Sequence, residues 1–104
     1  MKTLMIVAKE SMLSELEGLL RDAGIHAYSI INKVMGKGKT GKVHDSFFDP
    51  NYTGCNLMVL AVLPSDQVDR AVSVLRAFHS AQVQGAHGEP IPFKLFSFPC
   101  EELI

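Results

Sequence analysis

Between residues 36 and 42 the chain reads GKGKTGK, interleaving Gly36, Gly38 and Gly41 with Lys37, Lys39 and Lys42. Glycines let a backbone turn its N–H groups toward an anion, and lysines beside them add positive potential. The chemistry this suggests is the cradling of a phosphate or carboxylate. Neither common nucleotide motif is complete. Gly36 to Gly41 fits G-x-G-x-x-G, but that fingerprint must open a helix directly after a strand, and here Asp49 and Pro50 follow in what reads as a loop. Gly38-Lys39-Thr40 resembles the end of a phosphate loop, yet the glycine required five positions before Gly38 is Lys33. The competing reading is a solvated loop whose lysines only keep a strand end soluble.

Histidines at positions 26, 44, 79 and 87 offer a second chemistry. His44 and Asp45 share one loop and His87 lies in another. In an oligomer they would supply nitrogen and oxygen ligands to a divalent ion, although their spacing matches no recognised signature. Nucleophilic catalysis has less support. Cys55 and Cys100 lack C-x-x-C spacing and have no histidine beside them, so they read as two buried thiols of a reducing compartment. The acidic pairs Glu101-Glu102 and Asp66-Asp69 read as a solvated segment and a helix N-terminus. The sequence thus points away from an enzyme. Phe47, Phe48 and Tyr52 are candidate contacts for a partner protein, with packing against the body as the alternative.

These residues need a scaffold. A chain of 104 residues, 47% hydrophobic and 20% charged with net charge −1, is one ordinary globular domain. That balance indicates neither nucleic-acid binding nor attraction to an anionic membrane. No apolar run reaches the ~20 residues that span a bilayer, and the start turns charged too soon for a signal peptide. The expected location is cytoplasmic.

Residues 3–8, TLMIVA, read as a buried strand. Ser11 is the expected N-cap of a helix with apolar positions Met12, Leu16, Leu19, Leu20 and Ala23, and Gly24 ends it. Residues 25–34 alternate as a second strand. Residues 36–54 show no period, and a loop longer than about 12 to 15 residues in a compact domain is usually functional or disordered. Residues 55–63 form a third strand. Pro64 and Ser65 open a second helix carrying Val68, Ala71, Val72 and Leu75 on one face. A second loop at 79–90 precedes a last strand at 92–98.

The order βαββαβ predicts an α+β, ferredoxin-like domain, with two helices on one face of a four-stranded antiparallel sheet. The third strand is apolar on both faces, with Leu57, Val59 and Ala61 alternating with Met58, Leu60 and Val62. The last strand sets Phe93 and Leu95 against Phe96 and Phe98. Strands apolar on both sides are covered on both sides. Two helices cover one side, which predicts an oligomer packed through the open sheet face.

The VMGKG that leads into the long loop, the VLPSDQVDRAVSVL after the third strand and the order of elements resemble the PII family of signalling proteins, more closely its divergent PII-like members. The resemblance spans residues 1 to about 98. It implies a homotrimer with sheets facing inward, and a small effector such as ADP, AMP or ATP in the cleft between subunits. It also implies a T-loop, here residues 36–54, that docks on a target protein. The T-loop base would be Gly36, Lys37, Gly38 and Lys39. Gly85, with His87 and Gly88, falls where the family has its B-loop. Against the family's T-G-x-x-G-D-G-K the chain reads Ala81 to Gly88 without the acidic and lysine positions. Asn56 stands where the family has a 2-oxoglutarate lysine, Thr40 where it has a glutamine, and no arginine follows the last strand. At these positions the chain lacks the residues that the family uses for 2-oxoglutarate sensing and for the usual clamp on ATP. The trimeric divalent-ion tolerance proteins share this fold type and frame the metal alternative.

Overall fold

The computed structural model describes residues 1–34, 56–82 and 93–104 in full and residues 83–85 as backbone. Its elements are β1 (Lys2–Lys9), a 3-10 turn (Glu10–Met12), α1 (Leu13–Asp22), β2 (Ser29–Val34), β3 (Asn56–Leu63), α2 (Ser65–Gly85) and β4 (Phe93–Pro99). The strands form one antiparallel sheet in the order β2-β3-β1-β4. This is the ferredoxin-like arrangement expected from the pattern of elements.

The central pair fixes the register. β1 runs beside β3 from Lys2 opposite Leu63 to Lys9 opposite Asn56, and beside β4 from Lys2 opposite Pro99 to Ala8 opposite Phe93. Alternation then sends Leu4, Ile6, Ala8, Leu57, Val59 and Ala61 to one face, where they form a single core with Leu16 and Leu20 of α1 and Val68, Ala71 and Leu75 of α2. The other face carries Met5, Val7, Met58, Leu60, Val62, Phe96 and Phe98, none of them fully covered.

The end of α1 follows from Gly24. At φ +79° it takes the left-handed conformation, its N–H donates to the Arg21 carbonyl at 2.9 Å, and the Ile25 N–H donates to the Leu20 carbonyl at 2.8 Å. These are the two bonds of a Schellman motif, and its usual apolar contact falls to Leu20 and Ile25, both in the core. Ile25 is thereby used to close the helix, which is why β2 starts at Ser29 rather than at residue 25.

Three other expectations are corrected. Ser11 is not the N-cap: it lies inside the 3-10 turn, the cap position is Met12 without a side-chain hydrogen bond, and the Leu13 N–H is satisfied by the Glu10 carbonyl. The second loop does not begin at His79. α2 continues through His79 and Ser80 to Gly85, the first glycine after Pro64, because nothing between them breaks a helix. Cys100 is half-buried rather than buried.

The end of the sheet where β1 begins is tied together. Lys2 Nζ meets Asp69 Oδ1 on α2 at 2.9 Å, and the Cys100 N–H donates to the Met1 carbonyl at 3.1 Å.

Candidate functional site

At the opposite end of the sheet the register gathers the roots of both loops. Asn56, the first residue of β3, sits between Lys9 of β1 and Val34 of β2, so the two described residues that flank the long segment lie side by side, with Asn56 next to the end of β1. Phe93, the first residue of β4, lies opposite Ala8 on the other side of β1. α2 reaches the same end. Phe78 packs edge-on to Phe93 with ring centroids 6.1 Å apart, and His79 stacks on it at 6.0 Å. Gly85 lies six residues beyond His79, about 9 Å farther along a helix axis.

Two features shape this end. A cleft of about 280 Å³ runs between α2 and the free edge of β4, lined by Val72, Arg76 and His79 from the helix and by residues 93–97 from the strand. Its basic members are Arg76, His79 and Lys94, and among the described residues no carboxylate lines it. The second feature is a β-bulge near the exit of β2. Ile31 pairs with Met58 but Val34 pairs with Asn56, so β2 holds one residue more than its partner. Lys33 inside the bulge has φ +58°, and its backbone N–H donates to Glu10 Oε1 at 2.9 Å.

Of the residues singled out in the sequence, Gly85 is the last residue of α2. Gly36, Lys37, Gly38, Lys39, His44, Asp45, Phe47, Phe48, Tyr52, His87 and Gly88 lie outside the described residues. The other two histidines have separate settings. His79 is occupied by its stacking on Phe93, while His26 lines a distinct depression with Glu17, Arg21, Ile25 and Tyr28. Among the described residues no group of three or more histidine, cysteine, aspartate or glutamate side chains is placed to hold a metal. Nor is any helix among them long and apolar enough to cross a membrane. Reading the sequence missed Glu10 and Arg76. Glu10 looks like an ordinary acidic residue ahead of a helix, and only the fold carries it to β2.

The sequence pattern of the family described as Nitrogen regulatory protein P-II matches residues 1–102. The chain belongs to the P-II family. Solved structures agree in fold. CPII, a nitrogen regulatory PII-like protein from Thiomonas intermedia K12, solved with ADP, AMP and bicarbonate, superimposes with a TM-score of 0.69 at 22% identity, covering 93% of this chain and 82% of CPII. The apo form of CPII gives 0.63 at 20% identity, with 93% and 85% covered. A PII-like signalling protein from Thermus thermophilus gives 0.59 at 13% identity, with 93% and 81% covered. No curated protein matches by sequence. Membership places this P-II chain in a family of signalling regulators.

Proposed function

We propose that this P-II family member is a regulatory protein that binds an adenine nucleotide or a similar anionic effector at the loop end of its sheet, in a cleft between the subunits of a homotrimer. The long loop, residues 36–54, then contacts a target protein through Phe47, Phe48 and Tyr52. Gly36 and Gly38 present backbone N–H groups to the anion, Lys37 and Lys39 add charge, and Gly85, His87 and Gly88 close the site from the second loop.

One observation carries this reading: the strand register sets the roots of the two glycine-bearing loops on either side of the end of β1. That arrangement supports a site to which residues far apart in sequence contribute. The nucleotides and bicarbonate solved with CPII are of the chemical class that such a cradle accepts. The apolar open face supports the trimer, since closed cyclic symmetry covers each copy's face once.

Calorimetric titration with ADP, AMP and ATP, and separately with divalent ions, tests the proposal. Charge-assisted hydrogen bonds contribute roughly 1.5 to 3 kcal/mol each. Replacing Lys37 and Lys39 together by alanine is therefore expected to weaken nucleotide binding at least about tenfold. The melting temperature should hardly change, because exposed loop lysines contribute little to folding. Added salt should weaken the parent's binding too. Undiminished affinity in the double variant would make the stretch a hinge, and heat released only by divalent ions would favour a metal-binding trimer.

A further inference from the structure

Lys33 is the one non-glycine residue at positive φ among the described residues. An L side chain in this conformation crowds the following carbonyl oxygen, and it persists only where the surroundings hold it there. The holding group is visible. Glu10 follows directly on β1, and its carboxylate accepts the Lys33 N–H on β2 at 2.9 Å. β1 and β2 are not neighbours in the sheet, since β3 lies between them. One side chain thus ties the end of β1 to the end of β2, two strands that are not sheet neighbours.

Satisfying a lone donor does not explain this bond. Lys33 is exposed, so water is available to its N–H. What a fixed carboxylate adds is direction: it selects, among the conformations open to an exposed strand end, the one with left-handed Lys33 and the extra residue of the bulge. A bond to an ionised acceptor is also stronger than one to water or to a neutral group.

We propose that Glu10 is a positioning residue for the effector site: by holding Lys33 left-handed it fixes the direction in which the chain leaves β2 at Val34. This rests on the effector reading given above. If the bond is lost, the binding-competent exit becomes one of several, and apparent affinity falls by the fraction of molecules that keep it. Glycine reaches positive φ unaided, so Lys33→Gly makes the carboxylate dispensable.

The experiment compares the parent with Glu10→Ala, Glu10→Gln, Lys33→Gly and the Glu10→Ala/Lys33→Gly double variant. ADP affinity is measured by calorimetry, and exchange of the Lys33 amide by NMR in the absence of nucleotide. Glu10→Ala should speed that exchange about tenfold and weaken ADP binding by about fivefold. Glu10→Gln, which keeps an acceptor oxygen without the charge, should fall between, and the double variant should regain the parent's affinity within about twofold. Unchanged exchange and affinity in Glu10→Ala would overturn the proposal. So would a loss of affinity that Lys33→Gly fails to restore, because Glu10 would then act through something other than the bulge. If the parent itself binds none of ADP, AMP or ATP, the effector reading fails, and the exchange rates alone decide whether Glu10 holds the exit of β2.

Discussion

On the helix side of the sheet Leu4, Ile6, Leu57 and Val59 are at most 1% exposed, whereas on the other side Val62, Phe96 and Phe98 retain 44 to 48%. The same strands supply both sets, and the side chains are equally apolar. The covered face is a finished core, closed by Leu16 and Leu20 of α1 and Val68, Ala71 and Leu75 of α2. Among the described residues the open face has no second layer. Hydrophobic content therefore speaks to what a face wants, and topology decides whether the chain itself provides it. The covered face accounts for the fold, and the open face is the surface on which the proposed trimer rests.

The largest effect should follow truncation in the finished face. Leu57→Ala is expected to cost about 2 to 5 kcal/mol in urea unfolding at fixed protein concentration, from lost transfer energy plus the cavity left behind. If it cost no more than a surface change, the contrast between the faces would collapse. The open face should answer a different measurement. Changing Val62 and Phe96 together to serine should lower the light-scattering mass from about three chain masses toward one, while the far-ultraviolet circular dichroism keeps its shape. A mass that stays put would mean that this face is not the assembly surface.

The smallest effect sharpens the account of the covered face. A Cβ at Gly24 would have nothing within 4 Å, so Gly24→Ala tests backbone conformation without packing. With φ at +79° the substitution should cost about 1 kcal/mol in the same urea assay. A neutral result would show that α1 is ended by its contacts and not by the Schellman turn.

Much of this architecture is written in short-range pattern. Alternation in β1, β3 and β4 and the spacing of Leu16, Leu20, Val68, Ala71 and Leu75 give the elements, their order and the two-faced sheet. Gly24 marks the end of α1 because only the left-handed region serves a Schellman turn well. What fails to show is whatever depends on contacts between distant residues. Ser11 has the right side chain for a cap, but the backbone of Glu10 takes the role. The last turns of α2 carry no apolar period to announce them, and Phe78 and His79 find their partner, Phe93, in a different element. The bulge at Lys33 cannot be read from a lysine between an asparagine and a valine, since it depends on a carboxylate two elements away. For the candidate site, sequence reading names the glycine-rich stretch and Gly85, and the fold adds where their roots lie. Glu10 was invisible for the reason that makes it informative: it acts across strands.

The bond between the Cys100 N–H and the Met1 carbonyl has a practical corollary. It places the two outer portions of the chain side by side, one strand length, or about 23 Å for the eight residues of β1, from the loop end. A tether placed before Met1 or after Ile104 would hold the molecule by its back, presenting the loop end to solution for surface-based binding assays.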